Sequence, residues 1–287
     1  MTSQPAALRT LKRALGSFVV TALPLALRKP GAAWLGRQRW IPGNHWRAAR
    51  LVSDLADRDP NAYHRFLWSH HLAYAESYEP ALQFDRNRIK PDRRLLFRDI
   101  RRSLEGEGIV PRHVRSVLEV GCSLGHLLRF IETDVFRQAE VLDGIDIDGY
   151  AIAQGRAWLA QHGSRARLMT GDMSRLDAIL GPQARYDIVL CAGVLMYLRE
   201  DEAADVVRSM LRHTRCLLAI TGLAHPDHDN RELAHSVKRE QDGAFRHNLD
   251  ALVAAAQGKI LFRRWVPRAR PGWNPPYFVL CRGRRAH

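Results

Sequence analysis

The fold of the chain is first indicated by residues 117–128, which read Val-Leu-Glu-Val-Gly-Cys-Ser-Leu-Gly-His-Leu-Leu. A short apolar run leads into a turn with Gly121 and Gly125, and a helix-like stretch follows. A strand, a glycine turn and a helix start place backbone N–H groups at the carboxyl edge of a sheet, where such sheets bind ligands. Glycines there let a ligand approach the backbone closely. The stretch therefore predicts an α/β sheet with a ligand site at this edge.

Two familiar motifs compete for this turn. A dinucleotide fingerprint, G-x-G-x-x-G, would need glycines at the positions of Ser123 and His126, so it fails. A nucleophile elbow, G-x-S-x-G, matches residues 121–125 literally and would make Ser123 the nucleophile of a hydrolase. That elbow normally follows several strands, however, whereas the chain before residue 116 has a helical pattern from residue 60 to 108. The hydrolase remains an alternative, and the choice depends on the rest of the chain.

Downstream of residue 115, strand-like and helix-like segments alternate. The strand-like runs are Ser116–Val120, Val141–Ile147, Ala166–Thr170, Tyr186–Cys191, Cys216–Thr221, Lys259–Trp265 and Tyr277–Arg282. Candidate helices between them include Leu124–Ile131, Tyr150–His162 and Glu202–His213. Strands separated by helices of this length predict βαβ units and a mostly parallel sheet with helices on both faces.

Acidic residues stand where the second and third strands end. Asp146 follows the glycine turn by about 20 residues and can accept hydrogen bonds from both hydroxyls of a ribose. Asp172 ends the third strand and could accept a bond from an exocyclic amine, while Met173 could pack on an adenine face. The fourth strand continues through Cys191 to Gly193. These positions predict a nucleoside site along the sheet edge.

Together these motifs resemble the class I S-adenosylmethionine-dependent methyltransferases. The matching segments are E-x-G-x-x-x-G at 119–125, G-I-D-I-D at 144–148, G-D-M at 171–173 and Y-D-I-V-L-C-A-G-V-L at 186–195. Four motifs in the family's order are far more specific than any one alone. The resemblance covers residues 85–287 and implies a Rossmann-like sheet of seven strands, the last antiparallel, with S-adenosylmethionine as cofactor. Ser123 replaces the family's central glycine.

The resemblance also implies how the methionine end of the cofactor is held. Glu119 and Gly121 would line its methionine part, and Gly125 would complete the turn. Cys191 and Gly193 would lie beside the sulfonium.

The nucleoside end has its own implied contacts in the family pattern. Asp146 would hold the ribose, and Asp172 would bind the adenine amino group. Ile147 and Met173 would sandwich the adenine ring.

The loop after the fifth strand is the candidate for catalysis. In the family a methyl group passes in line from the sulfonium to a nucleophile, so the protein aligns the reactants and excludes water. A hydroxyl acceptor would benefit from a general base. His225 and His228 lie in this loop with Asp227 and Asp229, so either histidine could be that base. The same side chains could bind a divalent ion or simply form a polar turn, and we assign no metal site.

The N-terminal region differs from the rest in charge. The chain carries a formal net charge of +14, and residues 1–53 contain nine Lys/Arg and no Asp/Glu. An apolar run at Gly16–Leu27 precedes Trp34, Trp40 and Trp46, a combination that can bind an anionic membrane surface. The alternative is a helical arm packed on the main domain. We therefore expect a basic, mostly helical N-terminal extension at residues 1–84 and a methyltransferase domain at residues 85–287.

The acceptor and the location follow from weaker signals. The sequence shows no RNA-binding module, so nucleic acid is not favoured, and a small-molecule, glycan or lipid-linked acceptor methylated on oxygen fits better. The four cysteines form no CxxC pair, which favours a cytoplasmic protein. The basic and apolar N-terminal residues add the inner face of the membrane as a second expected location. A non-catalytic S-adenosylmethionine-binding regulatory module is the second alternative. The Asn-Pro-Pro-Tyr at residues 274–277 resembles an amide- or adenine-methyltransferase motif, but it precedes the last strand, where we interpret it as a turn into an edge strand.

Overall fold

The computed structural model describes residues 24–38, 40–41, 43–73, 89–240, 242–266 and 275–283. The chain divides into two compact units, Met1–Pro80 and Ala81–His287. The expected domain boundary between residues 84 and 85 lies outside the described residues, as does most of the apolar run Gly16–Leu27.

The first unit is a small helical assembly. Its helices are α1 (Leu25–Arg37), α2 (Asn44–Leu51), α3 (Leu55–Arg58) and α4 (Pro60–Ser69). Two residues stabilise the start of α4. Pro60 occupies its first turn, and the Asp59 side chain accepts the Ala62 N–H as an N-cap. A few apolar side chains, including Ala32, Ala48 and Leu67, form its core. The expected helical extension is therefore present.

Three tryptophans of this unit are not part of its core. Trp34, Trp40 and Trp46 are 57%, 77% and 47% exposed. The Arg50 guanidinium lies 5.3 Å from the centre of the Trp46 ring, a cation–π distance. The unit thus presents large aromatic side chains beside basic ones.

The second unit is built on a seven-stranded sheet. Its strands are β1 (Ser116–Val120), β2 (Val141–Asp146), β3 (Arg167–Thr170), β4 (Tyr186–Ala192), β5 (Thr214–Thr221), β8 (Gly258–Trp265) and β9 (Tyr277–Gly283), in the order β3-β2-β1-β4-β5-β9-β8. Neighbours from β3 to β5 pair in parallel, and β9 is antiparallel to both β5 and β8. The predicted seven-stranded sheet with an antiparallel last strand is confirmed.

Helices cover both faces of this sheet. They are α5 (Pro91–Gly106), α6 (His126–Phe130), α7 (Gly149–Gln161), α8 (Leu176–Leu180), α9 (Glu200–Arg212) and α10 (Leu249–Ala255). One apolar cluster includes buried side chains of α5, α6 and α7, and another includes those of α8, α9 and α10. Successive β1 residues alternate between the clusters, since Val117 belongs to the first and Leu118 to the second.

Three details differ from the sequence expectations. The helix expected at 124–131 begins only at His126 and passes into a π-helix, Ile131–Val135. A short hairpin, β6 (Val237–Lys238) and β7 (Phe245–Arg246), was not predicted, because two-residue strands leave no readable alternation. The proposed turn into an edge strand is wrong, because β9 lies between β5 and β8 and Tyr277 is buried. Asn274 of that turn lies outside the described residues.

Candidate active site

The turn between β1 and α6 forms the floor of the site. The Gly121 N–H donates to the Ile145 carbonyl over 2.7 Å, which ties the turn to the end of β2. Gly121 has a φ of +78°, and a Cβ added there would lie 2.2 Å from Cγ2 of Val194. Glycine is therefore required both by conformation and by the close approach of the loop after β4. The glycine that the sequence analysis selected is held where two strand ends meet.

Asp146 is fixed at the end of β2 by two backbone amides. Its Oδ2 accepts the Ser123 N–H over 2.8 Å, and its Oδ1 accepts the Asp148 N–H over 2.9 Å. Burial raises the pKa of Asp146, while these amides act in the opposite direction. Each carboxylate oxygen still has a lone pair for a further donor. Ser123 has a φ of +50°, so it adopts the left-handed conformation of the glycine it replaces.

The ends of β2 and β3 bring the expected nucleoside contacts together. The Gly171 N–H donates to the Asp146 carbonyl over 2.8 Å, so the residues after β3 lie beside the end of β2. Asp172 accepts the Ser174 N–H over 2.9 Å and thereby begins a short 3₁₀ helix that includes Met173. Ile147 and Met173 are both half-buried. The strand ends thus supply two carboxylates with apolar side chains beside them.

Glu119 is the most unusual acid of the site. Its side chain lies inside the protein, with 2% of the residue exposed, and its Oε2 has no hydrogen-bond partner among the described residues. Burial raises the pKa of Glu119 to about 8, although the positive charge of Arg93 acts against this rise. The carboxyl group is therefore mostly protonated at neutral pH in the chain by itself. An atom of this kind is unsatisfied until a donor reaches it.

Arg93 lies next to Glu119, and the sequence analysis missed it. Its Nη1 donates to Oγ1 of Thr221 and its Nη2 to the Ala192 carbonyl, both over 3.1 Å. The guanidinium thus joins the carboxyl ends of β4 and β5, and burial lowers its pKa. No motif marks this residue, since it is one arginine among many on α5. Burial, with help from Arg93 and Lys90, also lowers the pKa of nearby His126 to about 4, so that ring is neutral at pH 7.

The end of β4 supplies backbone and not side-chain chemistry. The Cys191 side chain is fully buried in an apolar cluster that also contains Val120 and Ile220. Burial raises the pKa of its thiol to about 12. Gly193 has a φ of +77°, and an added Cβ would lie 3.3 Å from Nη2 of Arg93. Of the two predicted residues, Gly193 leaves room beside Arg93, whereas the Cys191 thiol faces the core.

A buried asparagine organises the loop after β5. The side-chain amide of Asn230 donates to the carbonyls of Leu223 and His247, over 3.0 and 2.8 Å, and its oxygen accepts the His225 N–H over 2.8 Å. His247 Nε2 in turn donates to the Leu195 carbonyl over 3.0 Å, which ties this loop to the one after β4. The sequence analysis missed both Asn230 and His247, because neither lies in a motif.

The two histidines of this loop have different environments. Nδ1 of His225 accepts the N–H groups of Asp227 and His228, each over 3.2 Å, so the proton of the neutral ring belongs on Nε2. Burial lowers the pKa of His225, and the charge of Arg246 lowers it further. The His228 ring is exposed, 5.0 Å from the His225 ring and 4.0 Å from Oε2 of Glu232. Only His228 keeps a ring nitrogen available for a proton.

One of the two acids of this loop is engaged in ion pairs. Asp229 binds both Arg231 and Arg263. In the part of the chain that the structure describes, no group of three or more His, Cys, Asp or Glu side chains is arranged to hold a metal ion.

Residues 117–216 match the family model of a methyltransferase domain. No curated protein matches the sequence. The structure is similar to a magnesium protoporphyrin IX methyltransferase from Synechocystis PCC 6803 with bound S-adenosylmethionine (14% identity, 79% of this chain and 98% of the other, TM-score 0.53).

A second similar structure comes from Burkholderia thailandensis. It is a 1,6-didemethyltoxoflavin-N1-methyltransferase with bound 1,6-didemethyltoxoflavin and S-adenosylhomocysteine (17% identity, 73% of this chain and 85% of the other, TM-score 0.53). At 14% and 17% identity, both similarities support the fold alone.

Proposed function

We propose that this chain, whose residues 117–216 match a methyltransferase domain, is a class I S-adenosylmethionine-dependent methyltransferase that binds its cofactor along the carboxyl ends of β1 to β4. The observation that carries the proposal is the buried Oε2 of Glu119, which has no partner among the described residues. Leaving such a group unsatisfied costs about 1–3 kcal/mol. The ammonium group of S-adenosylmethionine is a donor that would satisfy it, and its charge would favour the ionised form of Glu119.

The residues around Glu119 fit the rest of the methionine part. Arg93 uses two of its five N–H donors within the protein, so others remain for the cofactor's carboxylate. Gly121 keeps the backbone turn free of a side chain, and Gly125 begins α6. Gly193 leaves open the space that a Cβ would fill beside Arg93. The Cys191 contribution is limited to its backbone, because its thiol is in the core.

The nucleoside part fits the ends of β2 and β3. The free lone pairs of Asp146 would accept the two ribose hydroxyls, while its backbone donors hold the carboxylate in place. Asp172 would accept the adenine amino group, and Ile147 and Met173 would contact the ring faces. Backbone N–H groups of the chain itself donate hydrogen bonds to the carboxylates of Asp146 and Asp172, so these acceptors are preorganised.

The reaction then depends on alignment and on one proton. When bound, S-adenosylmethionine supplies an electrophilic methyl group. For a hydroxyl acceptor, His228 would take the proton, because its ring nitrogen is available. His225 would donate a hydrogen bond through Nε2, because its Nδ1 is occupied by two amides. We therefore propose O-methylation with separate roles for the two histidines.

We propose that the methyl acceptor is a small molecule. A glycan or a lipid-linked compound is the alternative acceptor. The similar Synechocystis and Burkholderia enzymes are named for small heterocyclic compounds. The loop that contains both histidines follows β5 at the edge of the sheet where ligands bind, so it is placed to contact the acceptor.

A titration with S-adenosylhomocysteine tests cofactor binding, and an activity assay tests catalysis. With a methyl-labelled cofactor and an extract of small molecules, the wild type should label a product. His228→Gln should lower kcat while the affinity for S-adenosylhomocysteine stays unchanged. A protein that binds S-adenosylhomocysteine but labels nothing would favour the non-catalytic module. Labelling of Ser123 by a fluorophosphonate would favour the hydrolase.

A second proposal concerns location, and the exposure of three tryptophans supports it. Trp34, Trp40 and Trp46 stand among basic residues, and such a surface can bind an anionic leaflet. None of the described helices has the length and apolar character needed to span a membrane. We propose that the enzyme is cytoplasmic and that residues 1–53 bind peripherally to the inner face of the membrane.

Vesicle flotation tests this second proposal. The full chain should float with phosphatidylglycerol vesicles at low salt, less so at high salt, and not with phosphatidylcholine vesicles. Replacing all three tryptophans by serine should reduce flotation and spare cofactor binding. A wild-type protein that ignores anionic vesicles at low salt would exclude the proposal.

A further inference from the structure

The short hairpin after the catalytic loop contains an arginine without a partner. The side chain of Arg246, on β7, has no hydrogen-bond or ion-pair partner among the described residues, and its Nε atom is removed from solvent. The side chain is half-buried, and burial lowers its pKa. An arginine Nε–H that solvent does not reach and that has no acceptor is unfavourable, so proteins normally pair such a donor.

Acids close to Arg246 do not fill this role. Asp242 is bound at both oxygens by Arg239. Asp227 acts on Arg246 only through its charge, and it is exposed. Arg239 adds a second positive charge nearby and lowers the pKa of Arg246. The surroundings therefore leave a positive site with an unused planar donor.

His225 lies within electrostatic reach of this donor. Asn230 accepts the His225 N–H and donates to the carbonyl of His247, the residue after Arg246, so the two segments lie side by side. The charge of Arg246 lowers the pKa of His225. The His225 ring presents Nε2–H, because its Nδ1 accepts two backbone amides. His247, the residue after Arg246, is tied to the Leu195 carbonyl in the loop after β4. This bond anchors β7 to the same sheet edge as the cofactor site.

We infer that Arg246, assisted by Nε2–H of His225, binds an anionic group of the methyl acceptor, a carboxylate or a phosphate. The inference rests on the proposed function, because it names the acceptor class of that same site. Nε–H and one Nη–H of an arginine form a fork that matches the two oxygens of such a group. The acceptor would thus be an acidic small molecule held by its anion while another group is methylated.

The test uses two anionic probes and a neutral one on protein saturated with S-adenosylhomocysteine. Benzoate, phenyl phosphate and benzamide are titrated, and their dissociation constants are measured by ligand-observed NMR. One of the anions should bind at least about tenfold more tightly than benzamide, as charge-assisted bonds do. The stronger anion then identifies the group as carboxylate or phosphate.

Variants locate the effect. Arg246→Gln should remove the preference for the anion, and Arg246→Lys should retain only part of it. Arg231→Gln is the matched control, because it removes the same charge from an exposed arginine between β5 and the hairpin. This variant should leave the preference for the anion intact. Asp227→Asn should strengthen anion binding, since it removes a competing negative charge.

The outcomes separate this inference from the proposed function. Equal binding of anions and benzamide, binding of neither anion in the millimolar range, or an equal loss in Arg231→Gln would overturn the inference. In each case S-adenosylhomocysteine would still bind to all variants. A wild type that does not bind S-adenosylhomocysteine contradicts the proposed function instead.

Discussion

Two glutamates, Glu119 and Glu132, are both buried in the second unit but have opposite surroundings. Glu132, in the π-helix after α6, accepts hydrogen bonds from Oγ of Ser164, the Arg165 N–H and Nη1 of Arg129, over 2.6 to 2.8 Å. Burial alone would raise the pKa of Glu132, but these bonds together lower it to about 2. Glu119 has an unsatisfied oxygen, and its pKa is about 8.

The difference separates an acid that stabilises the fold from one that we propose for cofactor binding. The partners of Glu132 all come from the chain, so its charge is stabilised whenever the protein is folded. No described residue donates to the buried oxygen of Glu119, so folding gains nothing from its charge. Burial alone would not have distinguished the two residues, whereas their hydrogen bonds do.

The largest expected effect is on stability. Glu132→Gln should lower the free energy of unfolding by about 3 kcal/mol, because it leaves Arg129 and Arg165 without their buried carboxylate. Glu119→Gln should not lower it, because burial raises the pKa of Glu119 to about 8, so the wild type must take up a proton to fold at pH 7 and the amide variant need not. Urea denaturation at pH 7 measures both. Similar losses in the two variants would show that the glutamates play the same structural role.

The pH dependence of stability should differ in sign between the two. The stabilising contribution of Glu132 is present above its ordinary pKa of 4.5 and is lost as pH falls towards about 2. Glu119 has a raised pKa, so stability associated with its proton is present below 4.5 and is lost as pH rises towards about 8. The difference between wild type and Glu119→Gln in thermal unfolding should therefore change between pH 4.5 and 8. A difference that is flat over this range would contradict the raised pKa.

The next effect concerns the other acid of the cofactor site. Asp146→Ala should weaken S-adenosylmethionine binding by about 1–3 kcal/mol, because two ribose hydroxyls lose their acceptor. Calorimetry of the variant and the wild type measures this loss. Asp134→Ala is a suitable control, because Asp134 is exposed on the π-helix away from the strand ends. An affinity unchanged by Asp146→Ala would remove Asp146 from the site.

The smallest effect is expected at Ser123. Ser123→Gly should leave methyl transfer largely intact and stabilise the fold by less than about 1 kcal/mol, because glycine adopts the observed φ of +50° more easily. Thermal unfolding and an activity assay measure the two quantities. A large loss of activity would return Ser123 to the chemistry of the site.

The sequence predicted the framework because strands and turns carry local signals. All seven strands of the sheet lie where apolar runs predicted them, and the acid at the end of β2 sits where its distance from the glycine turn placed it. Arg93 and Arg246 could not be found in this way. Their roles depend on which arginine loses its water and which acids are already engaged, and both depend on tertiary packing.

The loop after β5 was predicted only in part. Its histidines were predicted from composition, but their difference follows from backbone amides that bind only Nδ1 of His225. Asn230, which holds the loop, has no local signal because its partners are Leu223 and, far along the chain, His247. The prediction that either histidine acts as a base stays untested.

Titration of S-adenosylmethionine into the wild type and Glu119→Gln is the most direct measurement of the central claim. At pH 7 the wild type should bind one equivalent, and Glu119→Gln should bind about tenfold more weakly, because an amide cannot neutralise the ammonium group. Glu119→Gln should be at least as stable as the wild type in the same buffer. A wild type that gives no binding, or a variant that binds as tightly, would contradict the assignment of Glu119 to the cofactor.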